Sequence, residues 1–431
     1  MSFHPLSRRA LLAQGGAAMA LAAPAARAAA TVSPGLRPFR IDIPQARLDR
    51  IMARVRDVEW PDAPAGDPWK YGTSLPVMQD LVAHWTTRYD WREREAELNR
   101  LPHFLARVED HDIHFIHVRG SGRNPQPMLM MHGWPGSFVE FHKVIDPLAH
   151  PEKYGGRVED AFSLVVPSLP GFGFSSKPAK PVGEVTMARL FDRVMADHLG
   201  YTRYIAQGGD MGALVALSSG YYHARHCQAV HLNFLTELGP RDELGPFTPE
   251  ELVHLSRMGR VSKAPGRPGR VWPNREGAYA IVQLTKPLTL SYAMMDSPVG
   301  AAAWIFERFR ISAQLPDGNP WLVFTRDEIL DNIMVYLVTG TFGTATWAYA
   351  APHGEEGEEL VPPRMSIGRV PLGIANFPGE SLMPRSWVER NYNLIHWNDL
   401  PAGGHFAALE QPQLFVEDLR QFGRKVRALK V

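Results

Sequence analysis

The stretch Tyr204-Ile205-Ala206-Gln207-Gly208-Gly209-Asp210-Met211-Gly212 is an apolar run that breaks into a glycine turn, with an apolar helical segment, Met211–His223, close behind. A strand that turns sharply into a helix holds its apex residue in a strained backbone, with the side chain displayed above the sheet. The positions two before and two after such an apex must be small, and Gly208 and Gly212 meet that need. The same residues also suit an aspartate capping a helix after a glycine turn. The motif alone leaves both readings open. The Gly-x-Gly-x-x-Gly spacing of a dinucleotide-binding turn is not present here.

Working outward, Ile113–Val118, Met128–Met131, Leu164–Pro167, Tyr204–Gln207 and Ala229–Leu232 read as strands, with helices over Met187–Leu199 and Met211–His223. Strands alternating with helices predict a parallel sheet. From Asn233 to Ala351 the pattern is helical, interrupted by the loop Lys263–Pro273; Leu372–Ala375 and Leu394–Trp397 then resume the strands, and a helix over Ala407–Phe422 closes the chain. A helical block inserted between sheet strands reads as a lid over the strands' carboxyl ends, where ligands bind. Glu355–Glu359 reads as a solvated acidic loop.

Ahead of the sheet, Pro38 to about Arg107 carries helical signals. Leu48, Ile51, Met52 and Val55 form one apolar stripe, and Val77, Met78, Leu81, Val82 and Trp85 form another. The charge run Trp91-Arg92-Glu93-Arg94-Glu95 reads as a solvated helix face. This segment is too small to close a core of its own and is expected to wrap a larger domain.

Residues 1–30 hold no acidic side chain. Arg8-Arg9 precede a soft apolar run, Ala10–Ala23, and Ala26-Arg27-Ala28 ends it. These are the marks of a cleaved export signal of the twin-arginine type. Gln14, Gly15, Gly16 and Pro24 interrupt the run, whereas a membrane-spanning helix wants about 20 apolar residues. The expectation is periplasmic export with no stable membrane span after cleavage. Net charge is +1, from 46 basic and 45 acidic residues, without a polybasic run, which argues against a nucleic-acid partner. Cys227 is the single cysteine, so the chain makes no internal disulfide.

If Asp210 is a nucleophile, this architecture places an acid and then a histidine after it in the chain. His405 follows the strand Leu394–Trp397 through Pro401-Ala402-Gly403-Gly404, and Glu380 follows Leu372–Ala375 through Asn376-Phe377-Pro378-Gly379. Asp399 competes for the acid's role but shares the histidine's loop. His132-Gly133-Trp134-Pro135 follows Met128–Met131. Its Trp134 amide and the Met211 amide are the expected oxyanion-hole donors, since Pro135 has no N–H. His111, His114 and His117 lie on one strand, where alternation turns the middle one to the opposite face, so they do not converge on a metal. No cofactor is expected. A carboxylate nucleophile displaces a leaving group at saturated carbon, giving an alkyl ester that activated water hydrolyses. An epoxide oxygen and a halide are the two obvious leaving groups.

The elbow, the His-Gly-Trp-Pro loop and Gly403-Gly404-His405-Phe406-Ala407-Ala408 together resemble the microsomal-type epoxide hydrolases. The resemblance implies an α/β-hydrolase fold, a mostly parallel sheet with helices on both faces. It divides the chain into an N-terminal epoxide hydrolase segment at 31–107, core at 108–232 and 352–431, and a helical lid at 233–351. Thr285-Lys286-Pro287, Asp296-Ser297-Pro298-Val299-Gly300 and Thr339-Gly340-Thr341 resemble that lid. By local context, Tyr279 and Tyr349 take the positions of the family's two proton-donating tyrosines, and Glu380 that of its acid. The implied activity is hydrolysis of a small hydrophobic epoxide by water, giving a vicinal diol. Haloalkane dehalogenation and a silent binding module on the same fold are the alternatives. Met211 stands where relatives commonly carry Trp, which removes the indole N–H that a dehalogenase uses to hold halide.

Overall fold

The structure is a computed structural model that describes residues 35–235, 247–257, 275–351, 370–380 and 382–429. The export segment and the loops Lys263–Pro273 and Glu355–Glu359 lie outside the described residues.

Apolar runs buried on both faces dictate the centre of the sheet. The chain opens with β1 (Leu36–Phe39), α1 (Gln45–Arg56), α2 (Leu75–Thr87), α3 (Trp91–Leu98), β2 (His103–Val108) and β3 (His111–Val118). Then come β4 (Gln126–Met131), α4 (His142–Ala149), β5 (Phe162–Pro167), α5 (Glu184–Arg193), β6 (Tyr204–Gly208), α6 (Asp210–Tyr222) and β7 (Cys227–Leu232). Helices α7 (Pro249–Arg257), α8 (Ala278–Thr285), α9 (Pro287–Asp296), α10 (Pro298–Ser312), α11 (Arg326–Thr339) and α12 (Phe342–Thr346) follow. The chain closes with β8 (Leu372–Asn376), α13 (Arg385–Asn391), β9 (Leu394–Asp399), α14 (Ala407–Glu410) and α15 (Pro412–Ala428).

The described strands form one sheet in the order β1-β2-β3-β5-β4-β6-β7-β8-β9. From β5 through β9 neighbours run parallel, while β1, β2 and β3 pair antiparallel at one edge. Every residue of β5 and β6 is buried, as parallel strands covered by helices on both faces require. No helix among the described residues is long and apolar enough to cross a membrane.

Three sequence expectations need correction. The segment from Pro38 to Arg107 is not wholly helical, because it contributes β1 and β2. The first carries Pro38, which a sheet tolerates at its edge, and the second carries His103 and Arg107 among its apolar residues, which blurs the alternation. The charge run is not a solvated face: Trp91 and Glu95 are buried, and the Glu95 carboxylate accepts from the Ile43 amide (2.8 Å) and the Trp91 indole (3.1 Å). The closing helix is two helices. Pro412 lacks an N–H and forces the residue before it out of helical backbone, and Gln411 sits at φ −138°.

The histidines on β3 serve packing. His114 bridges His103 and Ser168 (2.9 Å each), and His117 meets the Tyr201 hydroxyl (3.0 Å). On another part of the sheet, the buried Asp418 of α15 accepts from His231 of β7 (2.8 Å) and from His396 (2.8 Å) and Asn398 (2.7 Å) of β9. Burial works to raise the Asp418 carboxyl, but these donors outweigh it and hold the group well below the usual carboxylate range. A helix is thereby fastened to two strands by one buried carboxylate.

The N-terminal segment is bolted to the lid. Arg94 and the Tyr89 hydroxyl hold Asp331 of α11 (2.6 and 2.9 Å), His84 pairs with Asp327 (2.6 Å), and Arg326 pairs with Asp80 (2.5 Å). Arg54 pairs with Asp296 at the end of α9 (2.6 Å), and Arg47 donates to the Leu337 carbonyl.

Candidate active site

The turn between β6 and α6 carries Asp210 at φ +48°, a left-handed backbone that a non-glycine residue rarely takes. Space enforces the flanking glycines: a Cβ on Gly208 would run into the Gly212 carbonyl, and one on Gly212 into the Met131 carbonyl of β4. The Asp210 side chain does not simply cap the helix. Its Oδ1 accepts from the Trp134 amide (2.9 Å), and the Met211 amide bonds the same carboxylate. Burial raises the Asp210 carboxyl, and the His405 ring and these amides oppose that rise.

His405 Nε2 lies 3.6 Å from Asp210 Oδ2, and its Nδ1 lies 2.5 Å from Glu380 Oε2. Burial alone would depress the imidazole, but the Glu380 and Asp210 carboxylates outweigh it and lift His405 to about 10. The two loops brace each other, with the Gly379 amide donating to the Gly403 carbonyl (2.9 Å). Asp399, the competing acid, is exposed and accepts from Asn376 (2.6 Å) and the Trp397 indole (2.9 Å) at the end of β9. The chain order Asp210, Glu380, His405 is thus brought together in space.

Tyr279 of α8 and Tyr349, just beyond α12, close the site from the lid. The Tyr279 ring stacks on the Trp134 indole (centroids 5.2 Å apart) and meets the Tyr349 ring edge-on (6.1 Å). The two hydroxyls share a hydrogen bond that favours ionisation of Tyr279 over Tyr349. Burial pushes Tyr279 up to about 12, and pushes Tyr349 well above the ordinary phenol range. A cavity of about 280 Å³ lies over Asp210, lined by Met187, Leu214, Phe234, Leu284 and the two tyrosines. Its walls are mainly apolar, with Asp210, the two phenols and Glu184 as the ionisable groups that line it.

Sequence reasoning missed several supporting residues. Asn332 of α11 donates to the Pro135 carbonyl (2.7 Å), and the Tyr336 hydroxyl donates to Gly136 (2.6 Å). One lid helix thus fixes the loop that carries the Trp134 amide. The available signal was Asn332 and Tyr336, one turn apart within the buried stretch Ile329–Val338 of α11, where Asp331 is the other polar residue. Glu410 accepts from the Phe406 and Gln314 amides (2.8 Å each), while Gln314 accepts from the Gly403 amide (2.6 Å). Burial pushes Glu410 up to about 7. Glu140, packed against Gly136, is pushed up to about 8 by burial, with His405 opposing.

Comparison with known proteins agrees with this geometry. Residues 36–141 match the epoxide hydrolase N-terminus family and residues 126–235 the alpha/beta hydrolase fold family. A chain from Stigmatella aurantiaca, provisionally named as an epoxide hydrolase, is 38% identical, covering 91% of this chain and 86% of its own length. Epoxide hydrolase 1 of Sus scrofa is 34% identical, over 93% of this chain and 91% of its own. The structure of Aspergillus niger epoxide hydrolase superposes with a TM-score of 0.74 at 30% identity, covering 92% of this chain and 97% of that one. With relatives this similar over almost the whole length of both chains, the protein belongs to the microsomal-type epoxide hydrolases of the α/β-hydrolase fold.

Proposed function

We propose that this epoxide hydrolase works through a covalent ester on Asp210. One observation carries the reading: a single carboxylate is held by two amides, with Oδ1 on the Trp134 amide and Oδ2 3.6 Å from an imidazole, in a cavity it shares with two phenols. Asp210 attacks an epoxide carbon, the carbon–oxygen bond breaks, and the oxygen takes a proton from Tyr279, which Tyr349 assists by hydrogen bonding. A strained alkoxide leaves poorly without a proton, and a phenol is a fitting donor. Esterification removes one of the carboxylates that hold the proton on His405, so the imidazolium can release it, restoring the phenol through solvent.

The neutral imidazole, oriented by Glu380, then draws a proton from water. The resulting hydroxide attacks the Asp210 carbonyl carbon while the Trp134 and Met211 amides receive the developing oxyanion. Two such preorganised donors are worth roughly 3 kcal/mol each. The acyl–oxygen bond breaks, releasing a vicinal diol and the resting carboxylate. The apolar cavity walls support a small hydrophobic epoxide as substrate.

Isotope placement tests the scheme. With enzyme in excess in ¹⁸O-water, the diol of the first turnover is expected to carry unlabelled oxygen, and Asp210 to retain the label. Label in the first-turnover diol would mean that water attacks the epoxide directly.

Export is part of the same proposal. The Arg8-Arg9 pair, the soft apolar run and Ala26-Arg27-Ala28 support twin-arginine transport to the periplasm. An Arg8→Lys/Arg9→Lys chain is expected to stay in the cytoplasmic fraction while the unchanged chain reaches the periplasm. Equal export of both would refute the assignment.

A further inference from the structure

Beyond the residues already given roles, a buried cation lies against the proton donor. Arg308 of α10 is 4% exposed, and its guanidinium carbon lies 4.4 Å from the centroid of the Tyr279 ring. It donates to the Glu276 carbonyl just ahead of α8, and the Glu307 and Glu276 carboxylates lie 3.2 and 3.8 Å from its Nη2. Its Nε–H is buried with no hydrogen-bond partner among the described residues. The fork is therefore held at the helix that carries Tyr279, with its charge faced by two carboxylates and its Nε–H donor left unpaired among the described residues.

We propose that Arg308 is a positioning residue for the ring-opening acid: its guanidinium over the Tyr279 ring stabilises the phenolate formed when the epoxide oxygen takes the phenol proton. A neutral phenol attracts a cation only through its ring quadrupole, an interaction that strengthens when desolvated. A phenolate spreads a full negative charge into the ring, so the same guanidinium attracts it more strongly. The interaction therefore grows along the reaction, which is the condition for accelerating it rather than merely tightening binding. Negative charge leaves Asp210 as the ester forms and reappears on Tyr279, next to Arg308. The Trp134 indole stacked on the same phenol keeps the ring from turning away. This inference rests on Tyr279 being the acid, and the test separates the two.

Ester formation is followed by quenched-flow and intact mass in a His405→Gln chain, where hydrolysis is blocked and only the first step is read. Arg308→Met is expected to slow ester formation on the order of tenfold. Arg308→Lys, which keeps the charge, is expected to stay within about threefold. Should Arg308→Met fail to fold, Arg308→Gln replaces it with the same expected loss. In a Tyr279→Phe background the ring remains but no phenolate forms, so removing Arg308 is expected to change the residual rate by less than about twofold. An equal loss in both backgrounds, or no rescue by lysine, would make Arg308 a packing residue and overturn the inference. If Tyr279→Phe alone leaves ester formation unchanged, the donor assignment fails instead.

Discussion

Asp210→Ala is expected to lower turnover of a styrene-oxide-type substrate by about 10⁴-fold or more, the scale seen when a covalent nucleophile is removed. The side chain supplies the attacking atom, and the Trp134 and Met211 amides bond its carboxylate. The isosteric Asp210→Asn variant adds a second reading. His405 stands at about 10 because Glu380 and Asp210 outweigh the effect of burial. Neutralising one of them leaves burial less opposed, so the imidazole must titrate lower, as followed by NMR of the ring protons. That variant imitates the electrostatics of the ester, so a downward shift would show how the resting imidazolium becomes a base at the right moment. Unimpaired turnover in Asp210→Ala, or an unmoved imidazole in Asp210→Asn, would remove the basis of the scheme.

His405→Gln is expected to divide the reaction at its midpoint. Glutamine cannot take a proton from water, so hydrolysis should fall by about 10³-fold or more, while attack by Asp210 continues. The enzyme should then gain the mass of one substrate molecule, and peptide mapping should place that mass on Asp210. In the unchanged enzyme the hydrolytic step needs the neutral ring, so its rate should rise with pH until the imidazole of the ester form has lost its proton. The variant should lack that rise. Multiple turnovers without an adduct would show that His405 is not the base for ester hydrolysis.

The central sheet was legible because parallel strands leave unbroken apolar runs such as Leu164–Pro167, and the elbow was legible because its backbone admits only small neighbours at Gly208 and Gly212. The loops after β8 and β9 placed Glu380 and His405 by chain order alone. What stayed hidden depends on long-range partners. Nothing local to Leu36–Phe39 says that it will find β2, and Glu95 looks solvated until its carboxylate meets the Ile43 amide. Arg308, Asn332 and Tyr336 occupy lid helices whose periodicity is ordinary. Their purpose shows only when the ring, the loop or the carbonyl across the site is in place. The tyrosine pair was found by family resemblance, since no spacing rule ties Tyr279 to Tyr349.

The ionic clasps joining α1, α2 and α3 to the lid bear on engineering. A lid grafted alone from a relative would set Arg47, His84 and Arg94 against foreign partners, and the loop anchored by Asn332 and Tyr336 would shift with it. The smallest part that can be swapped between homologues is therefore the first three helices together with the lid, and chimeras cut between them should lose the geometry of the amides at Asp210 before they lose the sheet.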